Sequence, residues 1–105
     1  MGKRKRAIVP KIIWLPDALE DAQRLRAFLK NKNPIAATRA GHALQAGAKQ
    51  LIRFPEIGRP MNDSTDRREL FIAFGAGSYV LRYIIDKQNI AIIRVWHSKE
   101  QRDKN

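Results

Sequence analysis

Short, nearly continuous apolar runs dominate the C-terminal third of the chain. Three runs carry the pattern, at residues 69–74, 78–85 and 90–97. Each is rich in β-branched and aromatic residues, and each is bounded by Gly, Asp or Asn, as a strand ended by a turn is. Gly75-Ala76-Gly77 separates the first two runs, and residues 86–89 separate the last two. The pattern predicts a three-stranded antiparallel meander. Side chains alternate across a strand. Tyr79, Leu81, Tyr83 and Ile85 therefore share one side, and Val80, Arg82 and Ile84 the other. In the last run Ala91, Ile93, Val95 and His97 face one way, and Ile92, Arg94 and Trp96 face the other. Turning the most apolar sets towards one core pairs Tyr83 with Ile93. That register requires an odd-length loop or a bulge. It also sets Arg82 opposite Arg94 on the outer side, with Trp96 next to Val80. Like charges facing each other are unfavourable in a sheet. Either the pair awaits an anionic or aromatic partner, or each guanidinium has its own carboxylate, such as Glu69 or Asp86.

Upstream the period changes. Residues 7–14 read as a strand in which Pro10, unable to donate to a ladder, belongs at the start or on an edge. Leu15-Pro16-Asp17-Ala18 opens a helix, with proline in the first turn and Asp17 and Glu20 at the positive end of the dipole. This helix is expected to run to about Asn31. Ala18, Ala22, Leu25 and Leu29 form its apolar stripe, Phe28 lies beside it, and Arg24, Arg26 and Lys30 take the wet side. Lys32-Asn33-Pro34 breaks the helix, and Asn33 caps a second one running to about Ile52. Ala40, Leu44, Gly47, Ala48 and Leu51 share a face there. These mostly small residues allow a close antiparallel helical hairpin, with Gly41 and Gly47 as contact points. Each glycine costs about 1 kcal/mol of helix propensity relative to alanine. Two prolines and a glycine exclude regular structure from residues 54–60; Phe54 and Ile57 are expected to plug the base of the core. Residues 61–66 are polar and read as a mobile loop. The expected fold is α+β, in the order β-α-α-β-β-β, with a helical hairpin on one face of a small antiparallel sheet.

At 105 residues the chain fits one domain, residues 7–105, preceded by a basic flexible arm at residues 1–6. The absence of cysteine excludes disulfides and thiol chemistry. No apolar run approaches the roughly 20 residues of a membrane span. The short stretch after the basic N-terminus is broken by Pro10 and Lys11, which makes a poor secretory signal. A cytoplasmic protein with no membrane partner is expected. The 21 Lys and Arg against 10 Asp and Glu give a net +11, of which Lys3, Arg4, Lys5 and Arg6 supply four, leaving +7 on the body. Such a field attracts nucleic acid or an acidic protein.

No nucleophile–base pair, metal-ligand spacing or phosphate-binding glycine motif is present, so neither a cofactor nor a metal is expected. Gly75-Ala76-Gly77 opens no helix and is a turn. His42 falls mid-helix, as a structural or solvated residue. His97 ends the last strand beside Ser98, Lys99 and Arg102, either as a general acid or base or as a hydrogen-bond partner of Tyr79. Tyr79 and Tyr83 read as core aromatics. Metal-free RNA cleavage needs a base for the 2′-hydroxyl, cations for the phosphorane and an acid for the leaving oxygen. Arg68, Arg82, Arg94, His97, Lys99 and Arg102 could supply pieces of such a set.

Five stretches in order resemble the RelE/ParE superfamily of toxins from type II toxin–antitoxin modules, in its ParE-like, plasmid-stabilisation branch. They are Trp14-Leu-Pro-Asp-Ala-Leu-Glu-Asp21, Phe54-Pro-Glu-Ile-Gly-Arg-Pro60, Arg68-Glu-Leu-Phe-Ile-Ala-Phe-Gly75, Ser78-Tyr-Val-Leu-Arg-Tyr83 and Ile93-Arg-Val-Trp-His97. The resemblance implies a toxin held inactive by a cognate antitoxin, with operator DNA bound only through that antitoxin. It implies one of two activities, DNA gyrase poisoning or cleavage of messenger RNA on the ribosome. RelE-like nucleases carry lysines on the strand matching residues 70–74, where this chain has Leu, Phe, Ile, Ala and Phe. They carry an arginine where Val80 stands, and they often end in a tyrosine, whereas none follows Tyr83. These departures favour a gyrase-directed inhibitor over a nuclease. A nuclease would be left with His97, Arg94 and Arg68, and a third reading is a detoxified antitoxin-binding module. Target or antitoxin binding is expected at Arg68, Arg82, Arg94, Trp96, His97, Lys99 and Arg102, under an acidic, partly apolar antitoxin segment on the basic sheet face.

Overall fold

The computed structural model describes residues 9–100. The basic arm at residues 1–6 and Arg102 lie outside the described residues. The elements are β1 (Ile12–Trp14), α1 (Pro16–Lys32), α2 (Pro34–Arg53), β2 (Arg59–Pro60), β3 (Arg68–Phe74), β4 (Gly77–Asp86) and β5 (Asn89–His97). They form one sheet in the order β1-β5-β4-β3-β2, with the two helices on one face. The meander β3-β4-β5 is antiparallel as its short turns predict, but β1 joins β5 in parallel, so the sheet is mixed. The added strand β2 pairs Arg59 with Glu69 and Pro60 with Arg68 at the far edge, where a proline without an N–H is tolerated.

Asn33 makes the helical hairpin tight. Its backbone N–H donates to the Leu29 carbonyl at 2.6 Å, closing α1. Its side-chain oxygen accepts from the amides of Ile35 and Ala36 at 3.1 and 3.2 Å, opening α2. One residue thus satisfies orphan groups of both helices, and Pro34 enters the first turn of the second.

The inward side of β4 is as expected: Tyr79, Leu81 and Tyr83 are buried against Ala18, Leu25, Ala40, Leu44, Ala48 and Leu51. Burying each larger apolar side chain contributes about 1.5–3 kcal/mol. The β5 register differs by one residue. Asp86 pairs with Asn89 across a two-residue turn, Tyr83 pairs with Ile92, and Arg82 pairs with Arg94. Ile93 is the extra residue of a bulge between them. Ile90 and Ile92 therefore face the core below the bulge and Val95 above it, so Ile92, not Ile93, fills the interior.

Two further expectations fail, one because of Tyr83 and the other because of Ile72. Phe54 and Ile57 do not plug the core; they are 52% and 45% exposed. The Tyr83 hydroxyl occupies that end, accepting from the Gly58 amide at 2.9 Å and donating to the Pro55 carbonyl at 2.7 Å. Gly58 has to be glycine, because a Cβ there would fall on the Tyr83 ring and hydroxyl. Gly47 serves the sheet and not the other helix: a Cβ there would meet Ile72 of β3. Gly41 lies in ordinary contact distance of Arg26 on α1.

Candidate functional site

The parallel partner of β5 stops at Trp14, which leaves the upper half of β5 as an open edge. The chain turns there into α1, and Asp21 covers that edge. One oxygen of its buried carboxylate accepts the Val95 amide at 2.9 Å, taking the place of a strand partner. Arg94 donates to both oxygens, from Nε at 2.8 Å and from a terminal nitrogen at 3.1 Å. Arg24 adds a contact at 3.2 Å and a second ion pair with Glu100. Burial alone pushes the Asp21 carboxyl up, but the Arg94 hydrogen bond, the Val95 amide and Arg24 outweigh it and hold it below its ordinary 3.8. The same Asp21 hydrogen bond pushes the Arg94 guanidinium further up. Asp21 escaped the sequence reading, although it lies three residues after Ala18 and four before Leu25, on the buried stripe of α1.

Arg82 and Arg94 do face each other on the outer side of the sheet, and each has its own carboxylate. Arg82 reaches Glu69 at 2.8 Å across the β3–β4 pair, and its guanidinium lies 4.9 Å from the centre of the Trp96 ring. The partner of Arg94 is Asp21 and not Asp86. Arg68 points to the inner side and donates to the carbonyls of Glu56 and Gly58 at 3.0 and 2.8 Å, pinning the segment that leads into β2. Three of the expected cations are thus held by the protein itself.

His97 stands at the end of β5 on the inner side, edge-on to the Tyr79 ring at 5.1 Å. It makes no hydrogen bond to that phenol. Its Nδ1 accepts the Lys99 amide at 3.2 Å, and its Nε2 lies 2.9 Å from the Phe74 carbonyl. With an amide donor at Nδ1 and a carbonyl at Nε2, the hydrogen bond to Phe74 is donated from Nε2. The ring therefore ties the β3–β4 turn to the end of β5. His97 and Arg68 sit at opposite ends of the inner side, so the structure does not gather the nuclease set around one point. Burial pushes the phenols of Tyr79 and Tyr83 up, keeping both neutral. His42 is exposed on α2. Among the described residues, no cluster of three or more His, Cys, Asp or Glu could hold a metal, and no helix is long and apolar enough to cross a membrane.

A groove of about 690 Å³ opens between α1 and the β3–β4 turn. Leu25, Phe28, Leu29, Phe74 and Tyr79 make it apolar, and His97, Arg24, Lys99 and Glu100 complete it. Phe28, expected beside the core stripe, is instead 60% exposed here, with Lys32 over its ring at 5.0 Å. Of the expected binding residues that are described, only His97 and Lys99 line this groove. The signal for it was the surplus of large apolar residues on α1, more than one core stripe can bury.

The sequence and the fold have known relatives. The family model of the ParE toxin of the type II toxin–antitoxin system parDE matches residues 12–102. The chain belongs to the ParE/RelE toxin superfamily. It is 39% identical over 87 residues to Toxin RelE3 of Caulobacter vibrioides, covering 83% of this chain and 92% of that one. It is 38% identical over 85 residues to Toxin RelE1 of the same organism, covering 81% and 89%. A solved structure described as the chromosomal ParDE TA system from P. aeruginosa shares the fold, with a TM-score of 0.67 over 85% of this chain and 96% of that one, at 16% identity. Within the superfamily, the match through residue 102 spans every element from β1 to β5.

Proposed function

We propose that this toxin acts by binding, as an inhibitor of DNA gyrase, and that a cognate antitoxin neutralises it by laying an apolar segment into the groove between α1 and the β3–β4 turn. The observation that carries the first half is the state of the residues a nuclease would use. Arg94 is committed to Asp21, Arg68 to backbone carbonyls, and both ring nitrogens of His97 to main-chain groups. None is poised to take or give a proton at a shared point. The groove supports the second half, since apolar surface of this kind is where a peptide helix or strand docks. Charged contacts at Lys99 would orient such a segment. Brief induction of the chain without antitoxin, with labelled thymidine and amino-acid incorporation followed in parallel, tests the target. Early arrest of DNA synthesis is the expected result. Early arrest of protein synthesis contradicts it.

A second reading, ribosome-dependent messenger RNA cleavage, is favoured by the names of the curated relatives, which are RelE toxins. It predicts that His97→Ala abolishes toxicity in a chain that still folds and still binds antitoxin. The gyrase reading predicts that toxicity survives this substitution.

A further inference from the structure

The positive charge of this protein is not spread over it. Of the 21 cations, four lie at residues 3–6 and seven at residues 22–55; the remaining ten are balanced by all ten acids of the chain. Residues 22–55 contain no Asp or Glu at all. They comprise α1 beyond its acidic first turns, where Asp17, Glu20 and Asp21 lie, and the whole of α2, so the unbalanced charge of the body falls on that part of the helical hairpin.

Within α2 the cations are ordered. The buried face carries Ala37, Ala40, Leu44, Gly47, Ala48 and Leu51. Positions 39, 42, 46, 49 and 53 follow steps of three and four and fall on the opposite face. They are Arg39, His42, Ala46, Lys49 and Arg53, all exposed. From Arg39 to Arg53 the stripe is about 21 Å long. Arg39 and Lys49 have no ion-pair partner among the described residues. Arg26 extends the basic surface from α1, its side chain lying across Gly41. No residue of α2 lines the apolar groove, so the stripe stays free when that groove is filled.

We infer that the outward face of α2 is a docking surface for the sugar–phosphate backbone of duplex DNA, read without regard to base sequence. A protein partner needs apolar or aromatic anchors at the centre of its interface; the centre of this stripe has Gln45 and Ala46, and the exposed Ile35 and Phe54 lie only at its ends. A single-stranded nucleic acid needs successive aromatic platforms, and between Arg39 and Arg53 the stripe offers only the His42 imidazole. Cations on a rigid helix suffice for a phosphate backbone. The groove of B-form DNA admits a helix and that of A-form RNA does not, which favours DNA as the occupant. The toxin then adds a sequence-independent contact to any DNA its assembly approaches, in place of leaving all DNA contact to an antitoxin.

The test is fluorescence anisotropy of a short labelled duplex of scrambled sequence, titrated with the full-length chain from about 50 to 200 mM salt. Comparison is with the triple variant Arg39→Gln, Lys49→Gln, Arg53→Gln, whose basic N-terminus is intact. Loss of three phosphate contacts lowers affinity at least about tenfold and makes the log–log salt slope shallower by about 2.7. Lys87→Gln, at the β4–β5 turn, leaves both unchanged. Circular dichroism confirms the fold; should the triple variant unfold, each single variant is expected to lose about 0.9 of slope. Unchanged affinity and slope in the folded variants overturn the proposal. Tighter binding of a double-stranded RNA, a single strand or polyglutamate than of the DNA duplex overturns the choice of occupant.

Discussion

Asp21 shows how one side chain can close an edge that the backbone leaves open. It takes the Val95 amide that no strand reaches and compensates its own charge with Arg94 and Arg24. Removing the carboxylate strands a buried amide and frees a guanidinium. Asp21→Ala is expected to cost about 3 kcal/mol, the low end for breaking a buried pair, because Arg94 is partly solvated. Arg94→Ala costs less, since Arg24 and the Val95 amide remain; chemical denaturation of the two variants measures the difference. The pH dependence has a definite sign. The Asp21 carboxyl is held below 3.8 in the folded state, so its contribution is complete above 3.8 and is lost as pH falls through its lower, folded-state value. Wild type is expected to be more stable than Asp21→Asn near neutral pH, and the gap to close on acidification below 3.8. A gap that widened in acid would contradict the assignment.

At the scale of elements, much was legible. Helix boundaries followed from Pro16, Asn33 and Pro34, and the meander from β-branched and aromatic runs ended by Gly, Asp or Asn, because each signal is local. The register of β5 was half legible: the Arg82–Arg94 pairing required an offset, but nothing in the run of Ile90, Ile92 and Ile93 said which isoleucine the bulge would set aside. The role of Gly58 was hidden because it depends on Tyr83, 25 residues away. Tyr83→Phe leaves the Gly58 amide and Pro55 carbonyl without their partner and is expected to cost about 1–3 kcal/mol. Gly47→Ala sets a helix-propensity gain of about 1 kcal/mol against overpacking on Ile72 of about 1–3 kcal/mol. A lower melting temperature is the expected outcome.

On the scale of the whole molecule, the family was legible because its marks are spread along the chain, and the candidate site was not. Counting cations pointed to Arg68, Arg82 and Arg94, yet a sequence does not reveal which guanidinium the fold will consume. Two of them hold the sheet through ion pairs and the third anchors a loop. The apolar groove, built from Phe28 on one helix and Phe74 and Tyr79 on two strands, exists only after folding. Phe28→Asp is expected to leave stability nearly unchanged, because the ring is mostly exposed, and to weaken antitoxin binding by tenfold or more, about 1.4 kcal/mol. Calorimetric titration of the variant with the antitoxin reads the affinity, and thermal denaturation of the variant alone reads the stability.

The central claim is that toxicity comes from binding gyrase and not from cutting RNA. Its most direct test adds the purified chain, in parallel, to a gyrase supercoiling reaction and to ribosomes programmed with messenger RNA. Supercoiling that falls with added chain, with wild type and His97→Ala acting alike and the messenger intact, is the result expected. Messenger cleaved on the ribosome by wild type and spared by His97→Ala, with supercoiling untouched, would contradict it.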